Sequence, residues 1–177
     1  MTISEHLQLR AFARIDGAYL GILWTISFAC YIMGMSQPTI GLIGTATALA
    51  SPLYAARRLW KFRDDVREGE ISFRRSMAYY IFMFFYASIL FALAQYAYFE
   101  FLDNGFIVRQ YIGLLSSPEA QAMLKAYGLT AKEAMDNLNE LSQTSAILIA
   151  TNIMVMNLLI GVILSLPVAA ATKRAKN

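Results

Sequence analysis

Two residue types that carry much of protein chemistry are almost missing from this sequence: Cys30 is its one cysteine and His6 its one histidine. A lone cysteine excludes an internal disulfide. One of each excludes a His/Cys metal centre or a Cys–His nucleophile pair within a single chain. Gly-rich phosphate loops, HExxH helices and GxSxG elbows are absent too, so the chemistries that depend on them have no footing here. The largest gap is in charge. Residues 17–56, 76–99 and 144–172 contain no Asp, Glu, Lys or Arg. A proton relay or ion-coupled pump places ionisable groups inside its spans. Neither that nor an enzyme is expected from this chain alone, and no catalytic residue, cofactor or metal ligand is nominated.

What remains is strongly apolar: 58% hydrophobic, 13% aromatic, with a mean hydropathy of +0.47. Uncharged apolar runs of about 18 residues or more mark bilayer spans. Four are read at 17–35, 37–56, 76–99 and 144–172. Buried helices of a soluble protein would keep a polar face, and these are apolar all round. The expected fold is all-α: one integral-membrane domain over 1–177, with four transmembrane helices arranged as two hairpins. Residues 17–56 form an unbroken 40-residue uncharged stretch, twice what one crossing uses. It must fold back at "MSQPT", where Pro38 biases Gln37 away from the helical region. "MTISEHLQLRAFARID" is too long and too mixed in charge for a signal-peptide n-region, so an uncleaved first helix is expected.

The charge missing from the spans is concentrated in one connector. "RRLWKFRDDVREGEISFRRS", residues 57–76, holds seven basic and four acidic side chains. Together with residues 1–16 and the tail "KRAKN", this side of a four-span chain carries twelve of the fifteen Lys and Arg residues. Cytoplasmic loops are enriched in Lys and Arg, so both termini and the 57–75 connector are expected in the cytoplasm, with the chain in the inner membrane. Arg57, Arg58, Trp60, Lys61, Arg63, Phe73, Arg74 and Arg75 are the candidates for contact with anionic headgroups or a partner. Asp64, Asp65, Glu68 and Glu70 offset that charge and argue against a nucleic-acid site. Gly69 is the expected turn point in "REGE".

Residues 100–143, on the opposite side, are too long for a bare connector. "SSPEAQAMLKAYG" predicts a helix with Ser117 as N-cap, Pro118 at its first position and Gly128 as its stop. "TAKE" predicts a capping box, Thr130 with Glu133, opening a second helix to about Leu141. Six acids against three bases make this loop acidic. It either caps the bundle at the membrane interface or docks a partner. Asp16, Glu100 and Asp103, at the ends of spans, are expected to be solvated.

Within the spans, Gln95, Asn152 and Asn157 must find hydrogen-bond partners. Gly17/Gly21, Gly41/Thr45, Gly44/Ala48 and Asn157/Gly161/Ser165 are spaced four apart, a spacing that lets membrane helices approach closely. Gly44, Gln95, Asn152, Asn157, Gly161 and Ser165 are therefore candidates for helix packing or for a polar cavity or oligomer seam. Asn157 and Gly161 are expected to face span two at Gly41, Gly44 and Ala48. "LIGTATALASPLYAARR" also echoes "LIGVILSLPVAAATKR", although the Gly-to-Pro spacing is eight residues in one and six in the other. Related hairpins and two helices ending independently at a basic face both explain the echo.

A chain with "GEISFRRSM" opening its third span, a helical acidic loop, and "LLIGVILSLPVAAATKR" near its end resembles the bacterial domain-of-unknown-function family 4199. The resemblance covers most of the chain. Gly69, Ile71, Ser72 and Phe73 match a Gly-x-Ile-Ser-Phe element, and Gly161, Ser165 and Leu166 match a glycine-rich last span. The "SLP" at Pro167 departs from that pattern and is expected to kink the last turn. The resemblance carries no activity; it implies a membrane-associated family-two glycosyltransferase as a partner. Two functions are expected: a non-catalytic accessory or scaffold subunit of an inner-membrane complex, or a small oligomeric transporter or channel for a small solute or lipid.

Overall fold

The structure is a computed structural model that describes residues 3–174, with side chains from Glu5 onward. Among the described residues seven α-helices follow one another: α1 Ile3–Gly34, α2 Pro38–Lys61, α3 Phe73–Phe101, α4 Phe106–Leu115, α5 Pro118–Ala126, α6 Ala131–Gln143 and α7 Ala146–Thr172. A π-helical turn, Phe62–Val66, extends α2. Four helices (α1, α2 with its π turn, α3 and α7) are long and apolar enough to cross a membrane. This is a multi-pass membrane protein. The chain forms two compact units, residues 1–94 with 151–177, and residues 95–150.

In the first unit glycines set which helices touch. A Cβ on Gly17 would lie 2.6 Å from the Met83 carbonyl oxygen, and one on Gly21 would lie 2.9 Å from that of Ala87. These two residues seat α1 on the backbone of α3. A Cβ on Gly34 would overlap the Cα of Gly41, and one on Gly44 would lie 2.8 Å from the Ser27 carbonyl, so α1 also meets α2 backbone to backbone. Ser27 reinforces that seam by donating to the Gly44 carbonyl at 2.7 Å. Such close approach matters because lipid is as apolar as leucine. Helix association in a bilayer rests on packing and hydrogen bonds.

Gly161 corrects one expectation. Its neighbour is the Phe84 ring of α3, 2.6 Å from a built Cβ, and not the glycine stripe of α2. Gly41 and Gly44 are already occupied by α1. Around these seams lies a core of Leu9, Leu20, Trp24, Leu59, Phe62, Ile71, Tyr79, Tyr80, Met83 and Phe84. Phe62 stacks on Tyr79 at 4.5 Å, and Tyr80 on Phe84 at 4.8 Å.

The helices outrun their uncharged stretches. α1 begins at residue 3 because residues 3–16 continue the helical pattern, with Leu9 and Ala13 buried and Arg10 and Arg14 outside. Pro52 lies inside α2 and offers no N–H to the Ala48 carbonyl. The Ser51 hydroxyl supplies that bond at 2.7 Å. In α7, Ser165 stands two residues before Pro167 and bonds the Val162 carbonyl at 2.6 Å. It therefore does not replace the missing proline donor as Ser51 does.

Beyond the π turn, Glu68 and Gly69 take left-handed φ values of 55° and 85° and reverse the chain. Ile71 then forms an isolated antiparallel bridge with Arg174, with N–H to O distances of 3.1 and 3.0 Å. The second unit is helical throughout its loop. Ser117 accepts from the Ala120 N–H at 3.2 Å, Gly128 ends the turn after α5 with φ 72°, and Thr130 and Glu133 form the full capping box of α6. The sequence reading missed α4. Its start is built by Asn104 and Gly105 at φ 44° and 74°, with the Asp103 carboxylate accepting from the Ile107 N–H at 3.2 Å.

Candidate functional site

The first unit carries a buried ionic cluster and a cavity lined by its four long helices. The cluster centres on Asp16, which is 2% exposed. Its carboxylate accepts from Arg58 Nε of α2 at 2.8 Å and from the Tyr79 hydroxyl of α3. The expectation that Asp16 is solvated fails. Glycines at 17 and 21 bring α3 close enough to cover nearly all of the carboxylate, and a buried charge persists only when paired and hydrogen-bonded. Asp103, also expected in solvent, is 8% exposed and serves as the cap of α4; Glu100 is exposed. A guanidinium sits on one Asp16 oxygen and a phenol on the other. The cluster ties three helices together.

The cavity measures about 490 Å³, within the ~300–1,000 Å³ typical of small-molecule sites. Its lining comes from α1, α2, α3 and α7, chiefly Trp24, Phe28, Ala48, Phe84, Phe91 and Asn157. Aromatic edges form one wall: Trp24 meets Phe84 at 5.3 Å and Phe91 at 5.9 Å, and Phe28 meets Phe91 at 5.9 Å. The Trp24 indole donates to Ser51 at 2.9 Å, which satisfies the polar edge of that wall. Asn157 Nδ2 is buried and has no hydrogen-bond partner. The cavity is apolar, and the unpartnered Asn157 donor is buried beside it rather than open to it.

The other nominated residues scatter. Gly44 lines the cavity and packs on α1. Gln95 is 3% exposed with Oε1 unpartnered, and Ser165 is fully buried. Asn152 is exposed on α7. In the connector, Arg58 holds Asp16, while Arg63 pairs with Asp64 at 2.7 Å and donates to the Thr172 carbonyl at 3.1 Å. Arg67 and Arg75 pair with Glu5 at 3.1 and 2.6 Å. Trp60 is 42% exposed and donates to the Thr172 hydroxyl at 2.9 Å. Arg57, Lys61, Phe73 and Arg74 remain at least partly exposed, Lys61 lying 4.0 Å from Asp65. Sequence reasoning missed the Asp16–Arg58–Tyr79 cluster. The available signal was an acid and a base at the same ends of two consecutive spans.

Residues 16–174 match the family model described as a protein of unknown function, DUF4199. The chain belongs to this family. No curated protein and no solved structure matches it. The DUF4199 region contains the Asp16 cluster, the whole cavity lining and the Ile71–Arg174 bridge, while Arg10 and Arg14 precede it.

Proposed function

We propose that the protein is a non-catalytic accessory subunit of a bacterial inner-membrane complex, docking through α7. In this reading the four spans form two hairpins with both termini cytoplasmic and residues 100–143 outside. One observation carries it. Only 11% of the most apolar stretch of α7 is buried within the chain, against 22–33% for the other three spanning helices. On that open surface stands the Asn152 amide, which in hydrocarbon needs a hydrogen-bonding partner. A neighbouring membrane protein supplies both the surface and the partner, and a membrane-associated glycosyltransferase is the class the family resemblance implies. Affinity purification in mild detergent tests this. A stoichiometric foreign subunit, lost in an Asn152→Leu, Val155→Trp variant that still folds, is the expected result. A clean homo-oligomer would overturn it.

The cavity supports a second reading, a carrier for a lipid or small apolar solute held against the aromatic wall of Trp24, Phe28, Phe84 and Phe91. Ala48→Trp, which fills the cavity, would then abolish ligand retention and leave the α7 interaction intact. Under the first reading it changes neither.

A further inference from the structure

Four arginines of the first unit pair with carboxylates: Arg58 with Asp16, Arg63 with Asp64, and Arg67 and Arg75 with Glu5. Arg10 and Arg14 have no carboxylate partner among the described residues. They sit one turn apart on α1 in the series Leu7, Arg10, Ala11, Arg14, which occupies one helix face. That face and Tyr86 of α3 enclose a cleft of about 370 Å³. The Arg10 guanidinium rests over the Phe82 ring at 5.3 Å, which holds its stem against α3. Glu5 and Asp16, the two acids of α1, are bound to other arginines, so neither neutralises the pair.

The surroundings identify what does. Leu7 at the cleft's edge is 61% exposed, an apolar side chain beside two cations on a membrane-spanning helix. Such a combination suits the boundary between headgroups and acyl chains, where arginine stems lie in apolar surroundings and their charges meet phosphate. Arg is the residue suited to bidentate phosphate recognition. We propose that the Arg10–Arg14–Tyr86 cleft binds the phosphate of one anionic phospholipid, with an acyl chain against Leu7 and Ala11. The site is filled whether or not α7 has a partner. It also relocates lipid recognition from the connector, whose arginines are largely used within the chain, to the start of α1.

Native mass spectrometry of the full chain, released from detergent with added lipid, tests the site. Phosphatidylglycerol should remain bound where phosphatidylcholine does not. Arg10→Gln, Arg14→Gln should weaken that retention roughly 30-fold, the weight of two arginines at an anionic surface. Lys125→Gln, Lys132→Gln removes the same net charge from exposed residues outside the first unit and should leave it unchanged. Arg10→Lys, Arg14→Lys should restore part of the binding, and an unaltered thermal midpoint shows that these exposed changes do not unfold the protein. Equal loss in the Lys125/Lys132 variant, equal retention of both lipids, or displacement by inorganic phosphate at matched concentration would each overturn the proposal.

Discussion

Glycine at 161 and valine at 162 are adjacent in sequence and opposite in consequence. A Cβ on Gly161 enters the Phe84 ring, whereas Val162 is 45% exposed. Gly161→Leu should therefore cost roughly 1–3 kcal/mol or more by overpacking, and Val162→Leu close to nothing. Thermal unfolding in detergent reads the difference, and equal midpoints would mean that Gly161 is not at a helix seam. The four-apart spacing made Gly161 legible as a packing residue. Its neighbour was not legible, because spacing marks a close-approach face without saying which helix approaches. Asp16 was misread for a related reason. Its position at the edge of an uncharged run says nothing of how tightly α3 closes over it. Asp16→Ala strands the Arg58 guanidinium, and the expected loss is about 3 kcal/mol, the low end for a broken buried pair because that guanidinium is 32% exposed. Asp16→Asn keeps an acceptor for Tyr79 and should lose less. Equal losses would show that the acceptor geometry contributes nothing.

At the scale of elements, local chemistry was the most readable part. Ser117, Gly128 and the Thr130–Glu133 box mark helix ends through hydrogen bonds made within a few residues. α4 escaped because its start depends on left-handed φ at Asn104 and Gly105, which the sequence suggests only as a generic turn. The capping box has a pH signature. Bonds from the Thr130 N–H and hydroxyl hold the Glu133 carboxyl below its ordinary value. A carboxylate with a depressed pKa stabilises α6 above the unfolded-state pKa, and that contribution is lost as pH falls through the folded-state value. Protection of the Thr130 amide, its exchange taken relative to the intrinsic rate, should fall as the pH drops from 5 to 3 (roughly the range of a glutamate titration). In Glu133→Gln it should be pH-independent beyond the intrinsic rate. A wild-type profile identical to that of the variant would remove the box as a pH-sensitive cap. In α2, Ser51 replaces the donor that Pro52 lacks. Ser51→Ala should therefore leave both the Ala48 carbonyl and the Trp24 indole short of a partner, costing on the order of 1–3 kcal/mol in detergent melts.

For the whole molecule, the number of spanning helices was legible because a bilayer demands continuous apolar helix and little else satisfies that demand; their lengths were not, because α1, α2 and α3 run on into charged residues. The role of the connector was harder to read. Its basic residues set the expected orientation by sheer number, yet the structure commits Arg58, Arg63, Arg67 and Arg75 to carboxylates within the chain. Orientation and internal pairing are compatible, since the positive-inside bias acts while the chain inserts and counts Lys and Arg with little regard to nearby acids. The final prediction follows from that distinction. In a Cys30→Ser background, single cysteines at Ser72 and Ser116 are both on exposed residues, so each is accessible to an impermeant maleimide from its own side. In right-side-out vesicles the Ser116 position should label and the Ser72 position should not, and inverted vesicles should reverse the pattern. Neutralising the paired arginines Arg67 and Arg75 together with Glu5 should loosen the 67–75 segment. It should leave this labelling pattern unchanged, because ten of the twelve cations on that side remain. A reversed wild-type pattern would invert the proposed topology. A mixed pattern in the triple variant would show that the internal ion pairs, and not the count of cations, hold the chain in its orientation.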